Sequence, residues 1–175
     1  METAADVTES EACECEADAV RTRSDSYSVA PATGGGWPTW TAALVRMLTR
    51  MIDEPTHCIT ITQEPNERYV QLMVGHGHAR VEASSNTYLT GDFRLGPSEE
   101  AVLRSFGFRH PDALDPRSSV PRNWWFEEDH ADPLSIAETL TATMSSVMCF
   151  DDRWPIAINL FGADAACAAC FWESS

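Results

Sequence analysis

His76 and His78, one residue apart in "VGHGHARV", are the first residues whose types suggest chemistry. Imidazoles two apart on a strand point the same way and can share a metal ion. No Cys, His, Asp or Glu stands beside them to complete a ligand set, and Gly75 and Gly77 supply the backbone freedom of a hairpin tip, so the turn is the stronger reading. Cys167 and Cys170 in "CAAC" have the spacing of a redox pair or half a zinc site, with Cys13 and Cys15 in "CEC" as a conceivable other half. One intervening residue suits zinc poorly, and a redox pair belongs at a helix N-terminus rather than in an alanine-rich tail. The acidic group Glu127, Glu128, Asp129, His130 and Asp132 superficially resembles acid–base machinery, yet it reads more simply as a solvated turn ending in a helix N-cap at Asp132. There is no glycine-rich nucleotide loop, no G-x-S-x-G and no H-E-x-x-H. We therefore assign no catalytic, cofactor-binding or metal-ligating residue and expect no enzymatic activity.

Charge narrows the partners. The 12 basic residues, all arginine, face 27 acidic ones, for a net charge of -15. That field opposes phosphate backbones and anionic membranes and leaves protein or peptide partners. The first residues lack the basic and apolar regions of a secretory leader, and no apolar run approaches the roughly 20 residues of a membrane span. The expected location is the cytoplasm, where the six cysteines are reduced thiols.

The elements that position any site follow from periodicity. Residues 1–36 are acidic, nearly empty of large apolar side chains and end in "PATGGG", which predicts a disordered tail. "WPTWTAALVRMLTRMIDEP" places Trp40, Leu44, Met47, Leu48 and Met51 on one helical stripe between Pro38 and Pro55. Three runs then alternate with period two: "HCITIT", "YVQLMV" and "ARVEAS", joined by links short enough for hairpins. "GPSEEAVLRSFGF" is a short helix with a buried stripe of Val102, Leu103 and Phe106, stopped at Gly107. After a proline-rich loop, "NWWFE" is an aromatic strand. "DPLSIAETLTATMSSVM" is the clearest helix, with Ile136, Leu140, Met144 and Val147 on one face. "PIAINLF" is a candidate last strand. The fold class is α+β in the order α-βββ-α-β-α, helices packed on one face of a mainly antiparallel sheet, with a domain over 37–162 and a C-terminal tail over 163–175. The other face carries Tyr69, Gln71 and Met73 on one strand and Arg80 and Glu82 on the next, and is either solvated or binding. Adjacent Trp124 and Trp125 must point to opposite faces, so one is core while its neighbour is exposed, covered by a partner or shielded by loops.

The ordered set "RYVQLMV", "ARVEASSNTYL", "EEAVLRSFGF" with "HPD", and "NWWFEED" before a final amphipathic helix resembles the TY-Chap domains of actinobacteria, relatives of type III secretion chaperones and YbjN-like proteins. The resemblance covers about residues 37–150, roughly two thirds of the chain. It implies a non-enzymatic, chaperone-like peptide-binding domain and, by analogy with secretion chaperones, a homodimer holding a partly unfolded client. By matched position and outward face the candidate partner-binding residues are Tyr69, Gln71, Met73, Asn86, Tyr88, Asn123, Trp124 and Trp125, several of which could equally be signatures of folding. Two features depart from the pattern: the strand-like "PIAINLF" after the last helix, and the cysteine-bearing tail. The rival readings are an interaction or immunity-type protein with one folded partner, and a metal-dependent enzyme using the histidines or the tail cysteines.

Overall fold

The apolar periods condense as the sequence directs. The computed structural model describes residues 24–31, 35–113 and 122–161. Helix α1, Trp37–Met51, buries Trp40, Ala43, Leu44, Met47, Leu48 and Met51. The longest remaining helix, numbered α3 in chain order, spans Pro133–Ser146 and buries Ile136, Ala137, Leu140 and Met144. Its N-cap Asp132 accepts from the Leu134 and Ser135 amides at 3.3 and 3.2 Å, satisfying two of the donors a helix start leaves open. The two helices pack on each other and form one layer against the sheet. No helix among the described residues is long and apolar enough to cross a membrane.

The sheet is wholly antiparallel. Its strands are β1 (Ser24–Val29), β2 (His57–Thr62), β3 (Tyr69–Gly75), β4 (His78–Ala83), β5 (Trp124–Asp129) and β6 (Ile156–Phe161), in the order β1-β6-β2-β3-β4-β5. The helix-facing side carries Ile59, Ile61, Val70, Leu72, Val74, Ala79, Val81, Ala83, Trp124, Ile156, Ile158 and Leu160, all buried. The candidate strand "PIAINLF" is thus β6, laid between β1 and β2. Sequence places all of 1–36 in an acidic tail, but Ser24–Val29 forms β1, paired with β6 over six register positions. The order in "SDSYSV" comes from the ladder offered by β6, which composition of the segment alone does not reveal. Residues 1–23 and 162–175, with Cys13, Cys15, Cys167 and Cys170, lie outside the described residues.

The hairpin β3–β4 turns through His76 (φ 54°) and Gly77 (φ 74°), the pair of positive φ values that matches strand twist in a two-residue turn. The tip docks on the α1–β2 connection: the His76 amide donates to Glu54 O at 2.9 Å and the Gly77 amide to Ile52 O at 2.7 Å. His76 therefore serves the turn, and His78 Nδ1 lies 3.0 Å from Asp129 Oδ1 on the neighbouring strand.

Helix α2, Pro97–Ser105, closes the β5 end. Leu103 is buried, Val102 and Phe106 are partly buried, and Gly107 (φ 88°) ends the helix as expected. It and the following loop cover Trp124: the Arg104 guanidinium stands 5.0 Å from that ring and His110 meets it edge-on at 4.9 Å.

At the end of the strands away from the β3–β4 tip, two polar residues tie three loops together. Gln63 donates to Asp151 O (2.7 Å) and Trp154 O (3.0 Å) and accepts from the Asp151 amide (2.7 Å). Arg68, buried to 7% side-chain exposure, donates to Phe93 O, Arg94 O, Val147 O and the Glu99 carboxylate at 2.6–3.1 Å. Burial alone would raise the Glu99 pKa. The Gly96 amide and Arg68 outweigh that and hold it below the usual carboxylate value.

Candidate functional site

The sheet face away from the helices is where five of the eight candidate residues meet. The alternation that sends Val70, Leu72 and Val74 inward sends Tyr69, Gln71 and Met73 outward, and strand register then fixes their neighbours. One row crosses the sheet as Phe161, Cys58, Met73, Arg80 and Glu127; the next runs Asn159, Thr60, Gln71, Glu82 and Trp125.

The two halves of this face differ in kind. Over β4 and β5, Glu82 gathers hydrogen bonds from Gln71 Nε2 (2.7 Å), Arg80 Nε (2.7 Å) and Asn123 Nδ2 (3.1 Å). Asn123 Oδ1 accepts from the Tyr69 hydroxyl at 3.1 Å, and Arg80 also donates to Glu127 Oε1 at 2.9 Å. Trp125 lies beside this network between two guanidiniums, with Arg80 4.7 Å and Arg109 4.6 Å from its ring. Both contacts are of cation–π type, and they bury an indole that points away from the main core. Burial pushes the Tyr69 phenol up, opposed by its bond to Asn123, so the hydroxyl stays a neutral donor near pH 7.

Over β6, β2 and β3 one row of the face, Phe161, Cys58 and Met73, is apolar and open, beside the polar row of Asn159, Thr60 and Gln71. Phe161 is 45% and Met73 42% exposed, and the thiol of Cys58 lies exposed between them. Burial raises the Cys58 pKa, so at neutral pH this group is an uncharged thiol and behaves as a small apolar side chain. Two strand spacings separate Phe161 from Met73, roughly 10 Å. Where the halves meet, a hollow of about 190 Å³ is lined by Cys58, Thr60, Gln71, Met73, Arg80 and Glu82, among others.

The remaining candidates lie elsewhere. Trp124 belongs to the core. Asn86 brackets Leu95, accepting from its amide at 2.6 Å and donating to its carbonyl at 2.9 Å, and so fixes the approach to α2; it is not among the residues of positive φ. Tyr88, 47% exposed, stands on the Ser85–Tyr88 turn. Sequence reasoning noticed Arg80 and Glu82 but not that Glu82 is the hub, and it passed over Cys58 and Phe161. One signal was available: Cys58, Met73 and Phe161 are each apolar residues on the wrong phase of a strand whose other phase fills the core.

This face can hold a chain segment through side chains. Its own backbone hydrogen bonds are spent between strands, and Glu82 already accepts from three donors. Among the described residues no group of three or more His, Cys, Asp or Glu could hold a metal ion.

Comparison with known families gives a match over residues 30–152 to the TY-Chap3 family model, described as T3SS (YopN, CesT) and YbjN peptide-binding chaperone 3. Neither a curated protein nor a solved structure matches. The matched segment contains α1 to α3 and strands β2 to β5, while β1 and β6 flank it.

Proposed function

The chain belongs to the TY-Chap3 family of peptide-binding chaperones, and from that premise we propose that it holds an extended segment of a partly unfolded client on the outer sheet face. The role is non-enzymatic. Met73, Cys58 and Phe161 contact apolar client side chains, while Tyr69, Gln71 and Thr60 supply polar contacts at the margin. We place it in the cytoplasm, since its sequence shows no secretory-leader pattern or membrane-spanning apolar run, and, by the resemblance to secretion chaperones, as a homodimer.

One observation carries this reading: three laterally adjacent apolar side chains stand exposed where the strand pattern calls for polar ones. The pinned Arg80–Glu82–Trp125 network beside them gives a rigid floor, and rigidity limits the ordering cost of binding. A chain with net charge -15 also keeps a complex with an apolar client soluble.

The test is fluorescence anisotropy of a labelled reduced, carboxymethylated lactalbumin against its folded form. We expect binding of the unfolded form alone. Covering one large apolar side chain contributes about 1.5–3 kcal/mol, or roughly 10–150-fold in affinity. Met73→Asp and Phe161→Asp should each weaken binding by at least about tenfold with an unchanged circular dichroism spectrum. Equal binding of folded and unfolded forms, or indifference to both substitutions, overturns the proposal and favours a single folded partner.

A further inference from the structure

A cleft of about 420 Å³ opens at the end of the sheet, bounded by the β2–β3 connection, the turn Gly91–Phe93 and the loop after α3. The volume falls in the roughly 300–1,000 Å³ range of ligand sites. Its aromatic walls are Trp154 and Phe93. Trp154 is 61% exposed, the most exposed of the large hydrophobic side chains described. Slack does not account for that exposure. The Trp154 carbonyl is held by Gln63 at 3.0 Å and its amide donates to Asp151 O at 3.2 Å, while Gln63 itself is 5% exposed. The backbone therefore presents an indole to solvent in a fixed place.

The charges around the cleft decide what the indole can receive. Arg68 lines the floor, but its guanidinium is committed to Glu99 and three carbonyls. Asp151 is paired with Arg153, which holds its carboxyl down at about 2. Glu64, on the β2–β3 connection, and Asp92, on the Gly91–Phe93 turn, form no salt bridge among the described residues. An anionic guest is repelled, and a purely apolar guest would cover the ring while desolvating carboxylates without compensation. A guanidinium or ammonium satisfies both, lying against the indole face with the carboxylates beside it.

We propose that this cleft is a second binding subsite, separate from the outer sheet face, that receives an arginine or lysine side chain of the client polypeptide. It rests on the peptide-binding reading above, and it predicts that clients carry a basic residue in addition to an apolar segment.

The probe is N-acetyl-arginine methylamide, titrated into the full chain and followed by ¹H–¹⁵N correlation spectra, with N-acetyl-glutamate methylamide as the opposite-charge control. Saturable shifts are expected for the Trp154 indole N–H and the amides of Asp92 and Phe93, with none from the glutamate probe. Glu64→Gln with Asp92→Asn should weaken the response about tenfold, and Trp154→Ala should abolish it. These side chains are exposed or half-exposed at the opening, so all variants should keep the wild-type melting temperature within a few degrees. Shifts spread evenly over the acidic surface, shifts indifferent to the substitutions, or an equal response to glutamate would overturn the subsite. The unfolded lactalbumin assay separates the two ideas: if that client binds and arginine does nothing at the cleft, only the subsite falls.

Discussion

Replacing Arg68 with alanine should cost this protein a large share of its stability. The guanidinium joins the β2–β3 connection to the segment before α2, through Phe93 O and Arg94 O, and to the end of α3, through Val147 O. It also meets Glu99 at 2.6 Å with only 7% of its own side chain exposed. Removing one partner of such a pair costs about 3–5 kcal/mol, since the other charge and its acceptors stay where they are. Each buried acceptor left without a donor costs about 1–3 kcal/mol, though carbonyls at the cleft margin regain water. We expect a net loss of about 4 kcal/mol, from a total that is typically 5–15 kcal/mol. Urea denaturation should show the midpoint falling with the slope unchanged. Arg68→Lys should recover less than half of the loss, because an ammonium restores the attraction to Glu99 but not the fork that reaches three carbonyls. A loss below about 1 kcal/mol, or full rescue by lysine, would refute the argument that this fork ties the loops together. The acid limb offers a second readout. The Glu99 pKa is lowered in the folded state, so its contribution is present above the ordinary carboxylate value and disappears as pH falls through the folded one. Arg68→Ala should flatten that part of the stability–pH curve.

Gly75→Ala should be costly for a different reason: a Cβ there would stand 2.7 Å from Thr56 Cα and 2.8 Å from Glu54 O, at φ 153°. We expect a loss of about 2 kcal/mol or more by thermal melting, and a change within 0.5 kcal/mol would show that the hairpin tip is not held against the α1–β2 connection. Glu82→Ala removes the acceptor of three donors and should free the Arg80 side chain from Trp125, lowering stability by about 2–3 kcal/mol and changing the near-ultraviolet dichroism of the indoles. An unchanged aromatic spectrum would mean that the network does not position Trp125.

Patterns internal to one element were legible in the sequence. The stripe from Trp40 to Met51, the alternation of Val70, Leu72 and Val74, and the cap at Asp132 each declare themselves within a few residues, because helix and strand periods are local properties. What depends on lateral register was not. Glu82 is the centre of the outer face only because pairing sets it beside Gln71 and Trp125, and no single strand records that. β1 escaped for a related reason, since a strand that borrows its order from a neighbour needs few large side chains of its own. The cleft was least legible. Gln63 and Arg68 stand in a connection rich in polar residues, and that composition usually marks a solvated loop. Here both are buried and bind backbone carbonyls far along the chain, a use of polar side chains with no periodic trace.

The placement of β6 between β1 and β2 also sets a timetable. During synthesis β2 emerges with its partner β3 close behind, but the strand that covers its other side is made about 95 residues later. At about 5–20 residues per second that delay is roughly 5–20 s. Throughout it, the threonine- and isoleucine-rich run "HCITIT" presents an open ladder to any other nascent chain. A member of a family of peptide-binding chaperones thus has, in its own biogenesis, a segment in need of guarding.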